Sequence, residues 1–364
     1  MDELEIYKNA LNLMQEYFTN IDHYLIDGTF PVYTGDNGNW ILSHGNSWME
    51  GFYPGILLNL YSYFTDNKML KMANRSLSTL MKMPVPLTHD IGFRVYYSAA
   101  RAYEITGNAR LKLFSISQAY RLMGTFNYNI CAIPIGTDST AYFNLKFEDT
   151  DPETEFIIDT MTGSIPLLLW AWKATLDKRF FFCAYSHSMK VRDILIKDNY
   201  SSWQAANLVK ETGSFNRHTH QGKSDNSTWA RGQAWGIYGF IKMFQETGIS
   251  IFRDIARRMA VYYIKHMPEN GIAIYDFDAT SKESIDTSAG AIAACGFLEI
   301  YKSTVDRIFL DSARKIIKSS VSMEGFRGGL MHSRYRNDTG TDSEIIFGDY
   351  FLLEALIKIL GVLN

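Results

Sequence analysis

"YEITGNARL", residues 103–111, closes one apolar-periodic segment with a Thr–Gly pair and opens another within a few residues. Four other stretches repeat this arrangement: "YFTDNKML" (63–70), "KATLDKRFF" (173–181), "FQETGISIF" (244–252) and "YKSTVDRIF" (301–309). A Thr close to Gly or Asp at such a junction is typical of a tight turn. We therefore expect short turns between antiparallel helices, marked by Thr65, Thr106, Thr175, Thr247 and Thr304.

Apolar residues recur at three- and four-residue spacing in twelve segments, which predicts twelve helices. Their expected bounds are 3–20, 49–66, 68–82, 91–106, 109–124, 158–177, 180–197, 229–247, 250–267, 285–302, 305–322 and 344–362. The other connections are long, at 21–48, 125–157, 198–228, 268–284 and 323–343. Within them, the alternating stretches "GIAIYDF" and "GGLMHSRYR" indicate short β-hairpins. Because the long loops all occur at one type of junction, they indicate that one end of the fold carries the functional residues and that the other end has only short turns.

Twelve helices joined by alternating short and long connections fit an all-α fold, the (α/α)6 barrel, in which inner and outer helices alternate around a ring. A helical solenoid is the alternative, but the irregular spacing and the long loops favour closure. We expect one catalytic domain over residues 1–364. The helices that follow long loops should be the inner ones. Their N-termini should converge at one end of the ring, which we call the mouth.

Composition restricts the class of partner and the compartment. The net charge is −3 and the charges are well mixed, which argues against nucleic acid and anionic membranes as partners. The 22 Tyr and seven Trp fit either core packing or carbohydrate stacking. Cys131, Cys183 and Cys295 are expected to be buried free thiols. The sequence shows neither a signal-peptide pattern nor an apolar run of about 18 residues, so a cytoplasmic protein is expected.

Four aspartates lie at or just before expected starts of inner helices. Helix capping accounts for such residues, and we assign that role to Asp286 and Asp349. Asp90 in "HDIGF" and Asp159 in "FIIDTM" instead have apolar neighbours. An apolar wall can keep a carboxyl partly protonated, as a general acid requires. Two such groups facing an aromatic cavity indicate glycoside chemistry.

Arg231 lies between Trp229 and Trp235 in "STWARGQAWG". It could form a surface salt bridge, or it could hold a carboxylate while stacking on a ring, which would indicate an acidic sugar. His218 and His220 in "RHTHQG" are spaced i, i+2, with no carboxylate at helical spacing. No metal site is therefore expected there.

Taken in order, these motifs resemble those of the unsaturated glucuronyl hydrolases, glycoside hydrolase family 88. The resemblance spans about residue 44 to the C-terminus and rests on "SWMEGFYPG", "HDIGF", "IIDTM", "HTHQG", "STWARGQAWGIYGF", "DTSAGAIAACGFLEI" and "FGDYFLLEAL". The unsaturated rhamnogalacturonyl hydrolases are an alternative with less similar motifs. The resemblance implies an intracellular bacterial enzyme that removes a 4,5-unsaturated uronic acid from the non-reducing end of lyase-generated oligosaccharides of the glycosaminoglycan type.

The resemblance also implies a mechanism without metal or cofactor. An acid protonates C4 of the vinyl ether, water adds at C5, and the hemiketal rearranges and releases the aglycone. By motif position, Asp159 matches the general acid/base and Asp90 the second essential aspartate. The positions that match the substrate pocket are Trp48, His89, His220, Gln221, Trp229, Arg231 and Trp235.

Two features differ from the family pattern. Where members often have a His, after the seventh helix, this chain has Trp203 and Gln204. Near the last hairpin it has Ser333, Arg334 and Arg336, where the two guanidinium groups could hold a sulfate or simply face solvent.

Two other classes of function stay open from the sequence. One is a sugar epimerase or isomerase on the same barrel, with His218, His220 and His332 as its acid and base groups. The other is a glycan-binding protein without catalysis. We expect a monomer or weak dimer, and the sequence does not decide whether the loop at 125–157 covers the site.

Overall fold

The computed structural model describes residues 2–23, 25–35, 37–138, 151–279, 285–335 and 343–363. Within these ranges the chain forms twelve helices. They are α1 (Glu3–Ile21), α2 (Phe52–Phe64), α3 (Asn67–Leu80), α4 (Ile91–Val95, π-helical Tyr96–Ala100 and Arg101–Thr106), α5 (Ala109–Gly124), α6 (Ser164–Thr175), α7 (Lys178–Leu195), α8 (Ala230–Thr247), α9 (Ser250–His266), α10 (Thr287–Thr304), α11 (Arg307–Val321) and α12 (Ile346–Leu363). Short 3-10 turns, Trp48–Gly51 and Ile158–Met161, precede α2 and α6.

The helices close into a ring. The inner helices α2, α4, α6, α8, α10 and α12 pack in succession, and α12 returns to pack against α2. α1 completes the outer layer by packing against α11 and α12. Outer α3 buries one face, whereas inner α8 is buried continuously from Ala230 to Ile241. The (α/α)6 barrel is confirmed, and the solenoid is excluded because the first and last inner helices are in contact.

The predicted short turns are confirmed, and the threonines explain their geometry. Thr106, Thr175, Thr247 and Thr304 each donate a hydroxyl hydrogen bond to the carbonyl four residues earlier. Each hydroxyl also accepts from the amide two residues later. The residue after each of these threonines is left-handed, and in the first turn Thr65 itself has φ 58°. The threonine side chain therefore ends one helix and orients the next.

Two small antiparallel sheets lie in the long connections. β1 (Phe30–Thr34) pairs with β2 (Trp40–Ser43). The second sheet has the order β3 (Phe156–Ile157), β4 (Ala205–Val209) and β5 (Ser214–His218). The short β-hairpins thus occur in loops other than those singled out from the sequence. Within their described residues, "GIAIYDF" and "GGLMHSRYR" form isolated bridges such as Ile274 with Ile285 and Ser333 with Ser343.

Two of the three cysteines have the expected environment. Cys183 and Cys295 are buried free thiols, but Cys131 is exposed, so its predicted burial is wrong. Cys131 lies in the loop after α5 with φ 53°, and its thiol contacts the Tyr128 carbonyl at 3.4 Å. Among the helices with described residues, none has the length and apolar character needed to cross a bilayer.

Candidate active site

The barrel brings Asp90 and Asp159 to the same mouth. Asp90 immediately precedes inner helix α4, and Asp159 lies in the 3-10 turn before inner helix α6. Gly92 and Gly163 let these two segments approach, since a Cβ on Gly92 would lie 2.0 Å from the Gly163 carbonyl oxygen. This close backbone contact keeps the two carboxyl groups near enough to influence each other's ionisation.

Asp159 has the properties of a general acid. Its side chain is half-buried, and its Oδ1 is buried without a hydrogen-bond partner among the described residues. Burial raises the pKa of Asp159 to about 6; His89 and Arg231 oppose the rise, and the charge of Asp90 adds to it. A carboxyl group that titrates close to neutral pH can both donate and recover a proton during turnover.

Asp90 and His89 form a buried pair. The Nδ1 of His89 lies 3.0 Å from the Ile135 carbonyl, so this nitrogen is the donor. The Nε2 of His89 lies 3.2 Å from the Oδ1 of Asp90, a contact that requires a proton on one of the two atoms. Burial raises the pKa of Asp90, which favours the protonated form. Asp90 makes no capping hydrogen bond, so helix capping does not explain it.

The guanidinium of Arg231 is buried and bound by protein groups. It contacts the Oδ2 of Asp286 at 2.7 Å, donates to the carbonyls of Arg334 and Tyr335, and lies 4.7 Å from the Trp229 ring centre. The surface salt bridge considered from the sequence is therefore wrong. A direct contact with a substrate carboxylate stays a prediction. In this structure Arg231 attaches the 334–335 segment to α8.

Asp286 and Asp349 do not cap their helices, so that prediction is wrong. The carboxylate of Asp286 accepts from Arg231 and from the Ser288 hydroxyl, and it makes no capping bond. Asp349 lies within the first turn of α12 and accepts from the Leu330 amide at 2.6 Å. Both carboxylates instead hold the segment that runs from residue 330 to 335.

Two of the predicted pocket tryptophans, Trp48 and Trp235, belong to one aromatic cluster. The indole of Trp48 stacks on Phe347 at 5.2 Å between ring centres and donates to the Tyr335 hydroxyl at 3.2 Å. Trp235 packs on Phe347 at 5.8 Å and is 1% exposed. Trp229, also buried, lies under the Arg231 guanidinium. These rings form the apolar wall behind the mouth, and sugar contact stays a prediction for each of them.

Gln204, which stands where the resemblance implies a His, organises the "HTHQG" loop. Its side-chain oxygen accepts from the amides of His220 at 2.8 Å and Gln221 at 2.9 Å. Its side-chain nitrogen donates to the Oε1 of Gln221 at 3.0 Å. Gln221 in turn donates to the Tyr335 carbonyl at 3.1 Å. Gln204 thus orients a predicted substrate-binding side chain, a role without a signal in the sequence.

The proposed sulfate-binding residues are only partly described. Ser333 is buried, and its hydroxyl lies 3.1 Å from that of Thr287. The Arg334 guanidinium lies 4.8 Å from the Tyr275 ring centre, and the side chain is largely buried. Arg336 lies outside the described residues. Residues 139–150, which belong to the loop at 125–157 that could cover the site, also lie outside them. Sulfate binding stays a prediction.

The structure adds a carboxylate that the sequence pattern missed. Glu155 contacts both His218 and His220, although no carboxylate lies at helical spacing from this pair in the sequence. One potential ligand atom from each of these three residues lies within 4.8 Å of the others. Glu155 lies just before β3, far along the chain from the histidines, and no spacing rule connects them.

Comparisons with known proteins show to which family the chain belongs, although no family model matches it. The chain is 31% identical over 355 residues to the unsaturated glucuronyl hydrolase of Bacillus sp. (strain GL1), covering 91% of this chain and 90% of that protein. An unsaturated chondroitin disaccharide hydrolase of Streptococcus agalactiae is 28% identical over 382 residues, covering 98% and 92%. The crystal structure of an unsaturated glucuronyl hydrolase specific for heparin matches with a TM-score of 0.88 at 26% identity, covering 99% and 97%. The chain is therefore a glycoside hydrolase that belongs to the unsaturated glucuronyl hydrolases of family 88.

Proposed function

We propose that this enzyme removes a 4,5-unsaturated uronic acid from the non-reducing end of lyase-generated glycosaminoglycan oligosaccharides. The observation that carries the proposal is the half-buried Asp159, whose pKa of about 6 suits proton transfer, at a mouth shared with Asp90. The names of the relatives, which refer to glucuronyl groups, chondroitin and heparin, support the same substrate class.

The proposed reaction is acid–base hydration of the C4=C5 double bond. Asp159 donates its proton to C4, and the positive charge that develops at C5 is shared with the ring oxygen. Water adds at C5 and gives up a proton to the Asp159 carboxylate, which restores the acid. The hemiketal at C5 opens, and the hemiacetal left at C1 expels the aglycone. Each proton that leaves Asp159 returns to it, so the sequence of steps needs no metal or cofactor.

The surrounding residues have distinct proposed roles. The Asp90–His89 pair orients the substrate beside Asp159, whose raised pKa comes mainly from burial. Arg231 supplies the positive potential that attracts the carboxylate of the unsaturated sugar. Arg334, whose carbonyl is bound by Arg231, is the residue that we propose contacts a sulfate on the second sugar.

A panel of unsaturated disaccharides tests the proposed function. Chondroitin, heparin and rhamnogalacturonan disaccharides, with and without sulfate, should be compared by loss of the ultraviolet absorbance of the double bond. We expect turnover of the glycosaminoglycan substrates, and a sulfate preference that weakens in Arg334→Ala and Arg336→Ala variants. Turnover of the rhamnogalacturonan substrate alone would favour the related hydrolases, and binding without turnover would favour a glycan-binding protein. An unchanged sulfate preference in both variants would remove the role proposed for the arginines.

We further propose that residues 1–364 act as one cytoplasmic catalytic domain, as a monomer or weak dimer without nucleic-acid or membrane partners. The contact between α12 and α2 supports one domain, because both halves of the chain complete the ring. The buried free thiols of Cys183 and Cys295 fit a reducing compartment. The two relatives named with their source come from bacteria, which supports a bacterial origin.

A further inference from the structure

Glu155, His218 and His220 converge on one face of the sheet formed by β3, β4 and β5. In the sheet register, Ile157 pairs with Ala205, and Ala205 pairs with His218. Glu155 lies two residues before Ile157, so it shares the face of His218, because side chains alternate along a strand.

The three side chains meet at a single carboxylate oxygen. The Oε1 of Glu155 lies 3.0 Å from the Nε2 of His218 and also contacts the Nε2 of His220. The other oxygen, Oε2, is buried without a hydrogen-bond partner among the described residues. The Glu155 side chain is fully buried, whereas 13% and 20% of the His218 and His220 side chains are exposed. A ligand can therefore reach the buried carboxylate past the imidazole rings.

This donor set suits a divalent transition metal. Zn²⁺ binds imidazole nitrogen and carboxylate oxygen, and sites with three protein ligands keep a position for water. A buried carboxylate also needs a positive partner to offset its loss of hydration.

We propose that Glu155, His218 and His220 form a binding site for a divalent transition-metal ion of the zinc class. The ion would link Glu155, which lies four residues before Asp159, to the loop that carries Gln221. Its role would be to stabilise the position of these segments. The site goes beyond the proposed function, because hydration by Asp159 needs no metal.

Calorimetric titration of the metal-free enzyme with Zn²⁺ tests the site. We expect one ion per chain, a higher Tm in the presence of Zn²⁺, and little response to Mg²⁺, which prefers oxygen ligands. Co²⁺ at the same site should give visible absorption bands from nitrogen and oxygen coordination. Glu155→Gln and His218→Gln should each weaken Zn²⁺ binding by at least roughly tenfold. His23→Gln is the control, because His23 is an exposed histidine on another part of the surface.

Several results would overturn the proposal. These are an absence of stoichiometric Zn²⁺ binding by the wild type, unchanged affinity in both site variants, or an equal loss of affinity in His23→Gln. If one site variant does not fold, the other variant and the wild-type Co²⁺ spectrum decide. The readouts are binding, spectrum and Tm, so failure of the metal site and failure of the hydrolase activity are separate results.

Discussion

Replacing Asp159 with Asn lowers kcat by about 10²- to 10⁴-fold, the range expected for loss of a general acid–base group. Asn has a similar shape but cannot transfer the proton to C4, so substrate binding and folding should change little. Steady-state rates on an unsaturated chondroitin disaccharide, with Tm as the folding control, measure both effects. Asp254→Asn is the matched control, because Asp254 is an exposed carboxylate on α9. A wild-type rate in Asp159→Asn would contradict the assignment.

The same substitution should alter how activity and stability depend on pH. Since burial raises the pKa of Asp159 from 3.8 to about 6, the wild-type rate should fall as pH rises through about 6 and the acid loses its proton. A raised carboxyl pKa also means that the folded state binds this proton more tightly than the unfolded state. The resulting stability is fully present below about pH 4 and is lost as pH rises through about 6. The free energy of unfolding of the Asn variant minus that of the wild type should therefore be larger at pH 8 than at pH 4.

Replacing Arg231 with Met destabilises the protein by about 3–5 kcal/mol, the cost expected when one partner of a buried ion pair is removed. Met fills most of the volume, but it leaves the Asp286 carboxylate buried without its cation. The carbonyls of Arg334 and Tyr335 also lose a donor. Urea denaturation measures the loss of unfolding free energy, and we expect a parallel loss of activity as the 334–335 segment loosens.

Two controls separate this effect from a general response to losing an arginine. Arg257→Met removes an exposed ion pair with Asp306 and should cost no more than about 1 kcal/mol. The double variant Arg231→Met with Asp286→Asn should regain part of the lost stability, because no buried anion is left without a cation. Equal losses of unfolding free energy for Arg231→Met and Arg257→Met would show that Arg231 does not stabilise the mouth of the barrel.

The helix and turn pattern was predictable because its causes are local. At Thr106 and its counterparts, a hydroxyl closes the end of one helix and accepts from the start of the next, all within a few residues. The start of α6 was placed too early, at 158, because the apolar residues of the 3-10 turn Ile158–Met161 continue the helical pattern. Asp90 and Asp159 were singled out for a related reason, because their neighbours in sequence, such as Ile91 and Ile158, are buried.

The contacts of the site were not predictable, because they join distant segments. Capping was a reasonable expectation for Asp286, but the fold places Arg231 beside its carboxylate and changes its role. Histidines at i, i+2 looked unsuited to a metal on a helix, yet they share one face because the first of them ends β5. Glu155 joins them only through the register of the β3–β4–β5 sheet. Sequence periodicity carries no information about that register.

The central claim is that Asp159 protonates C4 and that the solvent then adds at C5. Product analysis in methanol–water mixtures tests this claim most directly. Methanol that adds at C5 forms a methyl ketal, which cannot open, so the disaccharide survives with its glycosidic bond intact. Direct displacement would instead place the methyl group at C1 and release the aglycone with the double bond retained. Nuclear magnetic resonance of the trapped product distinguishes the two outcomes. We predict the C5 methyl ketal from the wild type and none from Asp159→Asn, whereas a methyl glycoside at C1 would contradict the account.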